Sequence, residues 1–213
     1  MPNLAPDSRR ATAAPLNLAH WCVTEGVNGP GRRFTVWVQG CPRRCPGCFN
    51  PGLQEQEPRQ QVSPQELAEA FAAAGPVDGV TLSGGEPFTQ AAGLAAFLDA
   101  LAGRTGPRPA VVAFSGYTLG ELQGGEPDWQ LLLGRVDLLV DGPYLAEQAA
   151  GAGPLAGSVN QRRLALSAAG EQLLARAAAG AAGEVQVQVT AAGEVVVSGF
   201  PGPGLLAALR GPG

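Results

Sequence analysis

The sequence contains no lysine; all 14 of its basic residues are arginine. That absence excludes a lysine Schiff base and the lysine of a phosphate-binding loop. Histidine is nearly absent too. The single one, His20, cannot build a three-histidine metal site, argues against a serine–histidine triad, and beside Trp21 reads as a packed or solvated side chain. Charge is sparse, 15% of residues with a net of −4, so nothing in the electrostatics points to nucleic acid or an anionic membrane as partner. No apolar run approaches the roughly 20 residues that span a bilayer. The amino-terminal stretch lacks a charged-then-apolar signal pattern. Arg9-Arg10 hints at a twin-arginine signal, but Pro15, Asn17 and His20 interrupt the apolar segment such a signal requires. Residues 1–17 are therefore expected to be a flexible leader, and the expected location is cytoplasmic. What remains is a chain of 213 residues, 45% hydrophobic, long enough for one domain with a real core. Its 31 glycines and 19 prolines fit a general composition bias.

Against this background the cysteines stand out. Three of the four, Cys41, Cys45 and Cys48, lie within eight residues in the pattern C-x3-C-x2-C. Thiolates hold iron–sulfur clusters, and a cubane [4Fe–4S] cluster has four irons, so three cysteines leave one iron open to a small molecule. The competing reading is structural zinc. It needs a fourth ligand, and the candidates, Cys22 and His20, lie about 20 residues upstream, unlike the spacing of zinc knuckles. A disulfide within the loop fits a reduced compartment poorly. Cys22, outside the loop, reads as a buried thiol. With no other cysteine group, a second cluster is not expected.

The hydrophobic pattern alternates between strands and helices. Phe34–Val38 reads as a strand leading straight into the cysteine loop. Ser63-Pro64-Gln65-Glu66 is a capping box that opens a helix over about 64–74. Gly79–Leu82 is a strand ending at Ser83-Gly84-Gly85-Glu86. Leu94, Phe97, Leu98 and Leu101 share one face of a helix over about 90–102. Ala110–Phe114 is a strand, Thr118 with Glu121 caps a short helix, and Val136–Val140 is a strand. Such alternation predicts α/β architecture with a parallel sheet, and ligands then gather past the carboxyl ends of the strands. The cysteine loop, the Gly84-Gly85 turn, Ser115 and Asp141 all fall there. Farther on, Glu184–Thr190 and Glu194–Ser198 alternate at period two around Ala191-Ala192-Gly193, a β-hairpin, followed by an apolar helix over about 204–210. The hairpin is expected to cover a sheet edge, with partner docking as the alternative.

Taken in order, Gly29-Pro30-Gly31-Arg32, Gly40-Cys41, Cys45-Pro46-Gly47-Cys48-Phe49-Asn50, Ser83-Gly84-Gly85-Glu86-Pro87, Phe114-Ser115-Gly116-Tyr117-Thr118, Asp137–Tyr144 and Gly157–Arg162 make the chain resemble the radical S-adenosylmethionine (SAM) superfamily. Within it, the likeness is to activating proteins of anaerobic ribonucleotide reductase and related glycyl-radical activases, over roughly residues 26–166. The resemblance implies an incomplete (βα) barrel of parallel strands over residues 18–166. Residues 167–213 would add a carboxyl-terminal helix and β-hairpin extension packed on it. It implies an oxidoreductase that cleaves SAM reductively at a [4Fe–4S] cluster on Cys41, Cys45 and Cys48 and places a glycyl radical on a partner enzyme. Flavodoxin or ferredoxin would donate the electron. The cofactor-binding residues would be Gly47, Phe49, Asn50, Ser83, Gly84, Gly85, Glu86, Ser115, Asp141 and Asn160. Gly84 and Gly85 would let backbone approach the ligand, and Glu86 or exposed backbone carbonyls there would accept from the methionine ammonium. Arg32, Arg162 and Arg163 are candidates for the SAM carboxylate or an acidic partner surface. Gly47 stands where many radical SAM loops carry an aromatic residue against the adenine. A radical SAM enzyme acting on a peptide or small molecule, and a non-catalytic iron–sulfur or zinc module, are the alternatives.

Overall fold

A computed structural model describes residues 14–102, 108–179, 184–189, 193, 195–201, 204, 205 and 208. Most of the expected leader, the Ala191-Ala192 turn and much of the expected 204–210 helix lie outside these residues. The elements, in order, are β1 (Leu16–Glu25), β2 (Arg32–Val38), β3 (Gln60–Val62), α1 (Pro64–Ala73), β4 (Gly79–Gly84), α2 (Ala91–Ala102) and β5 (Ala110–Phe114). Then come α3 (Leu119–Gly124), α4 (Pro127–Leu133), β6 (Leu138–Asp141), β7 (Arg162–Ala165), α5 (Ala168–Ala178), β8 (Val185–Val189) and β9 (Val195–Gly199).

Seven strands form one sheet in the order β3-β1-β2-β4-β5-β6-β7. Its centre, β2-β4-β5-β6, is parallel, as the helical crossovers require. Both flanks are antiparallel: β1 with β2 and β3, and β7 with β6. The expected incomplete barrel of parallel strands is therefore, among the described residues, an open mixed α/β sheet whose strand order runs from β3 to β7 without closing. The leader boundary also moves. Leu16 and Leu18 are fully buried in β1, and Leu16 packs over Gly93 of α2, so the chain is already structured where a leader to residue 17 was expected.

Each face of the sheet has its own core. Phe34, Val36, Leu82, Val111 and Leu139 pack against Leu67 of α1, Leu94, Phe97 and Leu98 of α2 and Leu132 of α4. Burying each such leucine or phenylalanine contributes about 1.5–3 kcal/mol before entropy is charged against it. On the opposite face Val112, Leu138 and Val140 meet Leu173 and Ala177 of α5. Helix starts follow the expected chemistry. Ser63 with Glu66 and Thr118 with Glu121 form reciprocal capping boxes that satisfy otherwise orphaned N–H groups.

The β8–β9 hairpin is a sheet of its own rather than an added pair of strands. Its glutamines meet the edge of β1. Gln188 Nε2 donates to Val23 O (3.2 Å), and Glu25 N–H donates to Gln186 Oε1 (2.8 Å). Side-chain amides, not ladder bonds, thus satisfy the backbone of β1 beyond its short pairing with β3.

Candidate functional site

All four parallel strands end at one rim, because Val38 pairs with Gly84, Leu82 with Ala113, and Phe114 with Val140. The segments just past those ends meet in a single cavity. Cys41, Arg43, Cys45, Cys48, Phe49 and Asn50 line it from the loop after β2. Ser83, Gly84, Gly85 and Glu86 line it from the end of β4. Phe114, Ser115 and Gly116 come from β5, Tyr144 and Gln161 from the segment between β6 and β7, and Phe200 from the end of the hairpin. A roomier cleft of about 390 Å³ between the Val27 loop and α5 shares only Phe200 with this cavity and contains no cysteine, so it offers no comparable chemistry.

The cysteine loop is closed by its own backbone. Gly40 N–H donates to Leu53 O (2.9 Å), Cys41 N–H to Gln54 O (3.1 Å), and the Gln39 amide bridges Gly52 O and Glu55 O. Within it the chain reverses at Arg44 (φ 48°) and Gly47 (φ 71°), and Cys48 N–H donates to Cys45 O (3.2 Å). These turns are what bring three cysteines onto one cavity wall. All three are free thiols. Burial pushes the Cys41 thiol up from its ordinary value, against backbone N–H donors at Arg43 and Arg44 that favour the thiolate. Among the described residues no three histidine, cysteine, aspartate or glutamate side chains are already gathered at metal spacing, so ligation must draw the thiols inward.

The donor set nonetheless fits a cubane cluster better than zinc. Three thiols face one cavity at the end of a strand, and the candidates for a fourth zinc ligand are elsewhere. His20 is stacked on Trp37 at 4.3 Å between ring centroids, and the Cys22 thiol donates to Gln188 Oε1 (3.0 Å). Burial raises the Cys22 thiol to about 11, which keeps it protonated, as expected of a buried thiol.

Glu86 is the buried charge of the site, 1% exposed. Ser115 O–H (3.0 Å) and Phe88 N–H (3.1 Å) donate to its Oε1, and Gly116 N–H (2.8 Å) donates to Oε2. Burial raises its carboxyl to about 7; the three hydrogen bonds and the nearby Arg43 pull it down without cancelling the burial. Arg43 in turn lies over the Tyr117 ring (4.8 Å to its centre) and pairs with Glu121 at 3.5 Å.

The two glycines of the β4 turn have a tighter constraint than room for a ligand. A Cβ on Gly84 would overlap the backbone of Val38, and one on Gly85 would overlap the carbonyl of Gly40, the residue before Cys41. Glu86 N–H donates to that same carbonyl (2.9 Å). The β4 turn and the cysteine loop are therefore a single packed unit.

Of the other residues expected at the site, Asp141 and Asn160 do not line the cavity. Asp141 is fully buried; its carboxylate accepts from Leu119 N–H (2.6 Å) at the start of α3 and from the Arg162 guanidinium of β7. Asn160 Nδ2 donates to Pro143 O (2.8 Å). Gly47 shapes the loop without lining the cavity. Arg163 donates to Pro154 O, and Arg32, at the start of β2, lies at the opposite end of the sheet from the rim. Sequence reasoning did not single out Arg43, Phe114, Tyr144, Gln161 or Phe200. The first four sit inside or beside the quoted motifs at strand ends, a signal that was available. Phe200 carried none.

Strand-end thiols around an open-sided α/β sheet define a single-cluster iron–sulfur protein, and residues 27–164 match the 4Fe-4S single cluster domain family. The chain is 33% identical over 153 residues to the anaerobic ribonucleoside-triphosphate reductase-activating protein of Vibrio cholerae, covering 68% of this chain and 96% of that protein. It is 29% identical over 155 residues to the protein of the same name from Haemophilus influenzae, again over 68% and 96%. A shorter stretch of 72 residues is 40% identical to the pyruvate formate-lyase-activating enzyme of Staphylococcus epidermidis, 30% of this chain and 28% of that one. The chain belongs to the family of anaerobic ribonucleoside-triphosphate reductase-activating proteins. It is an enzyme, a radical SAM oxidoreductase of the glycyl-radical-activating type.

Proposed function

We propose that the protein cleaves SAM reductively at a [4Fe–4S] cluster held by Cys41, Cys45 and Cys48, and that it thereby generates a glycyl radical on a partner enzyme, an anaerobic ribonucleotide reductase. What carries this reading is one strand-end cavity that gathers three free thiols, no fourth cysteine or histidine, and a buried carboxyl group. A [4Fe–4S] cluster held by Cys41, Cys45 and Cys48 would supply one-electron reduction of the SAM sulfonium, with reduced flavodoxin or ferredoxin as electron source, and so the means to take a hydrogen atom from a glycine α-carbon of the partner.

The chain's own residues prepare that event. The three thiols give up their protons to ligate iron, Cys41 against the cost of its burial. Ser83, Gly84, Gly85 and Glu86 face the methionine portion of SAM. A carboxylate oxygen has about two acceptor positions, and Glu86 Oε2 accepts a single hydrogen bond, which leaves one for the ammonium. Phe49, Asn50 and Ser115 face the adenosyl portion, while Gly47 supplies the turn that presents them. Asp141 and Asn160 act from behind the cavity by tying β6 to the elements around it. The aromatic side chains exclude water from the reacting bond. The described residues include no helix long and apolar enough to cross a membrane. A reducing cytoplasm is the proposed setting, since it keeps the thiols available.

Anaerobic reconstitution tests the reading. The loaded protein should hold about four irons per chain, and with dithionite or reduced flavodoxin it should release methionine and 5′-deoxyadenosine. Cys41→Ala, Cys45→Ala and Cys48→Ala should each lose the iron, and Cys22→Ala should keep it. Zinc in the wild type, lost on Cys22→Ala, would overturn the assignment, and intact SAM after full reduction would remove the catalysis.

A further inference from the structure

The carboxyl-terminal hairpin lies beyond the region that matches the family, residues 27–164, yet one of its residues enters the cysteine cavity. The local chain explains how. Gly199 closes β9 at φ 101°, a conformation side-chain-bearing residues rarely adopt, and it packs where a Cβ would overlap Glu184 O. The chain therefore turns off the hairpin at this point and sends Phe200 inward, with Pro201 buried behind it. The Phe200 ring lies 5.8 Å from Phe49, edge to face, and 5.5 Å from Phe114. Phe49 also meets Tyr144 at 4.8 Å. The hairpin itself is held to β1 by Gln186 and Gln188.

The cavity lining combines polar side chains, Ser83, Glu86 and Ser115 among them, with a cluster of four rings in mutual contact, Phe49, Phe114, Tyr144 and Phe200. A ligand that suits both has a zwitterionic end and a flat aromatic ring whose face can stack, which is the construction of SAM. The cysteine loop supplies one ring of this aromatic wall, Phe49, and the other three come from elsewhere in the chain. We propose that the hairpin completes the SAM site, with Phe200 forming the face of the wall against which the adenine ring lies. This rests on the proposed function and adds a binding residue to it from outside the matched domain. Phe200 acts on binding through contact with the base; it is not a cluster ligand, but it meets the cysteine loop at the Phe49 ring, so iron content is measured alongside binding.

The test uses the reconstituted holoprotein and compares wild type with Phe200→Ala and Phe200→Leu. Iron content and melting temperature are measured first, then affinity for SAM and for methionine by anaerobic equilibrium dialysis. Phe200→Ala should retain its iron and bind SAM about tenfold more weakly, the size of one lost base–aromatic contact. Its affinity for methionine, which lacks the base, should be unchanged. Phe200→Leu keeps an apolar wall and the packing behind it. It should fall between the two, and it carries the comparison if the alanine variant does not fold. SAM binding by both variants equal to that of wild type overturns the proposal and leaves the proposed function standing. Equal losses for SAM and methionine overturn it as well, because they mark collapse of the whole cavity. A loaded wild type that binds no SAM removes the proposed function, and this inference with it.

Discussion

Burial lifts the Glu86 carboxyl to about 7 although three donors and a nearby arginine stabilise its charged form, so at neutral pH the folded apoprotein carries this group partly protonated. The unfolded chain releases the same proton near 4.5. Between those values the folded state holds more protons than the unfolded one, so stability is fully present below the lower value and is lost as pH rises through the upper one. Apoprotein melting should therefore fall from pH 5 to pH 8, by up to roughly 3 kcal/mol from this one group. Glu86→Gln keeps the size and should flatten that slope; a slope unchanged in the variant would remove Glu86 as its source. Glu55, Glu66 and Glu121 have their carboxyls lowered by hydrogen bonds, so their contributions fade only in more acidic solution, outside this window. Gly85 leads to a second expectation. Because a Cβ there meets the Gly40 carbonyl next to Cys41, Gly85→Ala should disturb the cysteine loop as well as the ligand turn. Iron content after reconstitution should drop along with SAM binding, whereas a residue that served only the ligand would leave iron untouched. The sequence singled out this glycine pair as a ligand turn, but not its packing against the cluster loop, because that contact joins residues 45 apart in the chain.

At the level of elements, legibility followed locality. Both capping boxes were readable because each lies within four residues, and both form. The strands Phe34–Val38 and Ala110–Phe114 were readable because both faces of a central parallel strand are buried, which leaves a continuous apolar run. β1 was missed in part because Asn17, His20 and Thr24 break that run, even though Leu16 and Leu18 are wholly buried. β7 was missed because Arg162 and Arg163 open it, and an edge strand can carry such residues. Asp141 shows the same limit at the site. Its position at the carboxyl end of β6 suggests a ligand-facing residue, yet its carboxylate is spent joining β6 to the start of α3 and to β7. Asp141→Ala should accordingly cost about 2 kcal/mol, less than a wholly buried pair because Arg162 is 55% exposed. Thermal unfolding should register that loss, while the SAM affinity of the folded, loaded variant should stay within about twofold. A selective collapse of SAM affinity at unchanged melting temperature would make Asp141 a ligand contact instead.

Seen as a whole, the molecule puts its bulk on one side of its chemistry. Helices α1 to α4 fill one face of the sheet, α5 covers part of the other, and the thiols, Glu86 and the aromatic wall are collected at the carboxyl rim of four parallel strands. The rim is built from loops, and the strand order is open at both ends. If the proposed function holds, a 5′-deoxyadenosyl radical formed there must find a hydrogen donor within contact distance or be wasted. On the proposed function that donor comes from outside the chain, from the partner enzyme. An extended loop carrying a glycine fits that need, since glycine lets backbone enter a narrow cavity and offers an α-carbon hydrogen for abstraction. Mixing the loaded protein anaerobically with its anaerobic ribonucleotide reductase, SAM and reductant should give a doublet radical signal in the reductase by electron paramagnetic resonance. Replacing the accepting glycine by alanine should remove the doublet, as should Cys48→Ala in this protein, and air should cleave the reductase chain at that glycine. If 5′-deoxyadenosine accumulates while the reductase stays radical-free, the cleavage chemistry holds and the acceptor is a different molecule.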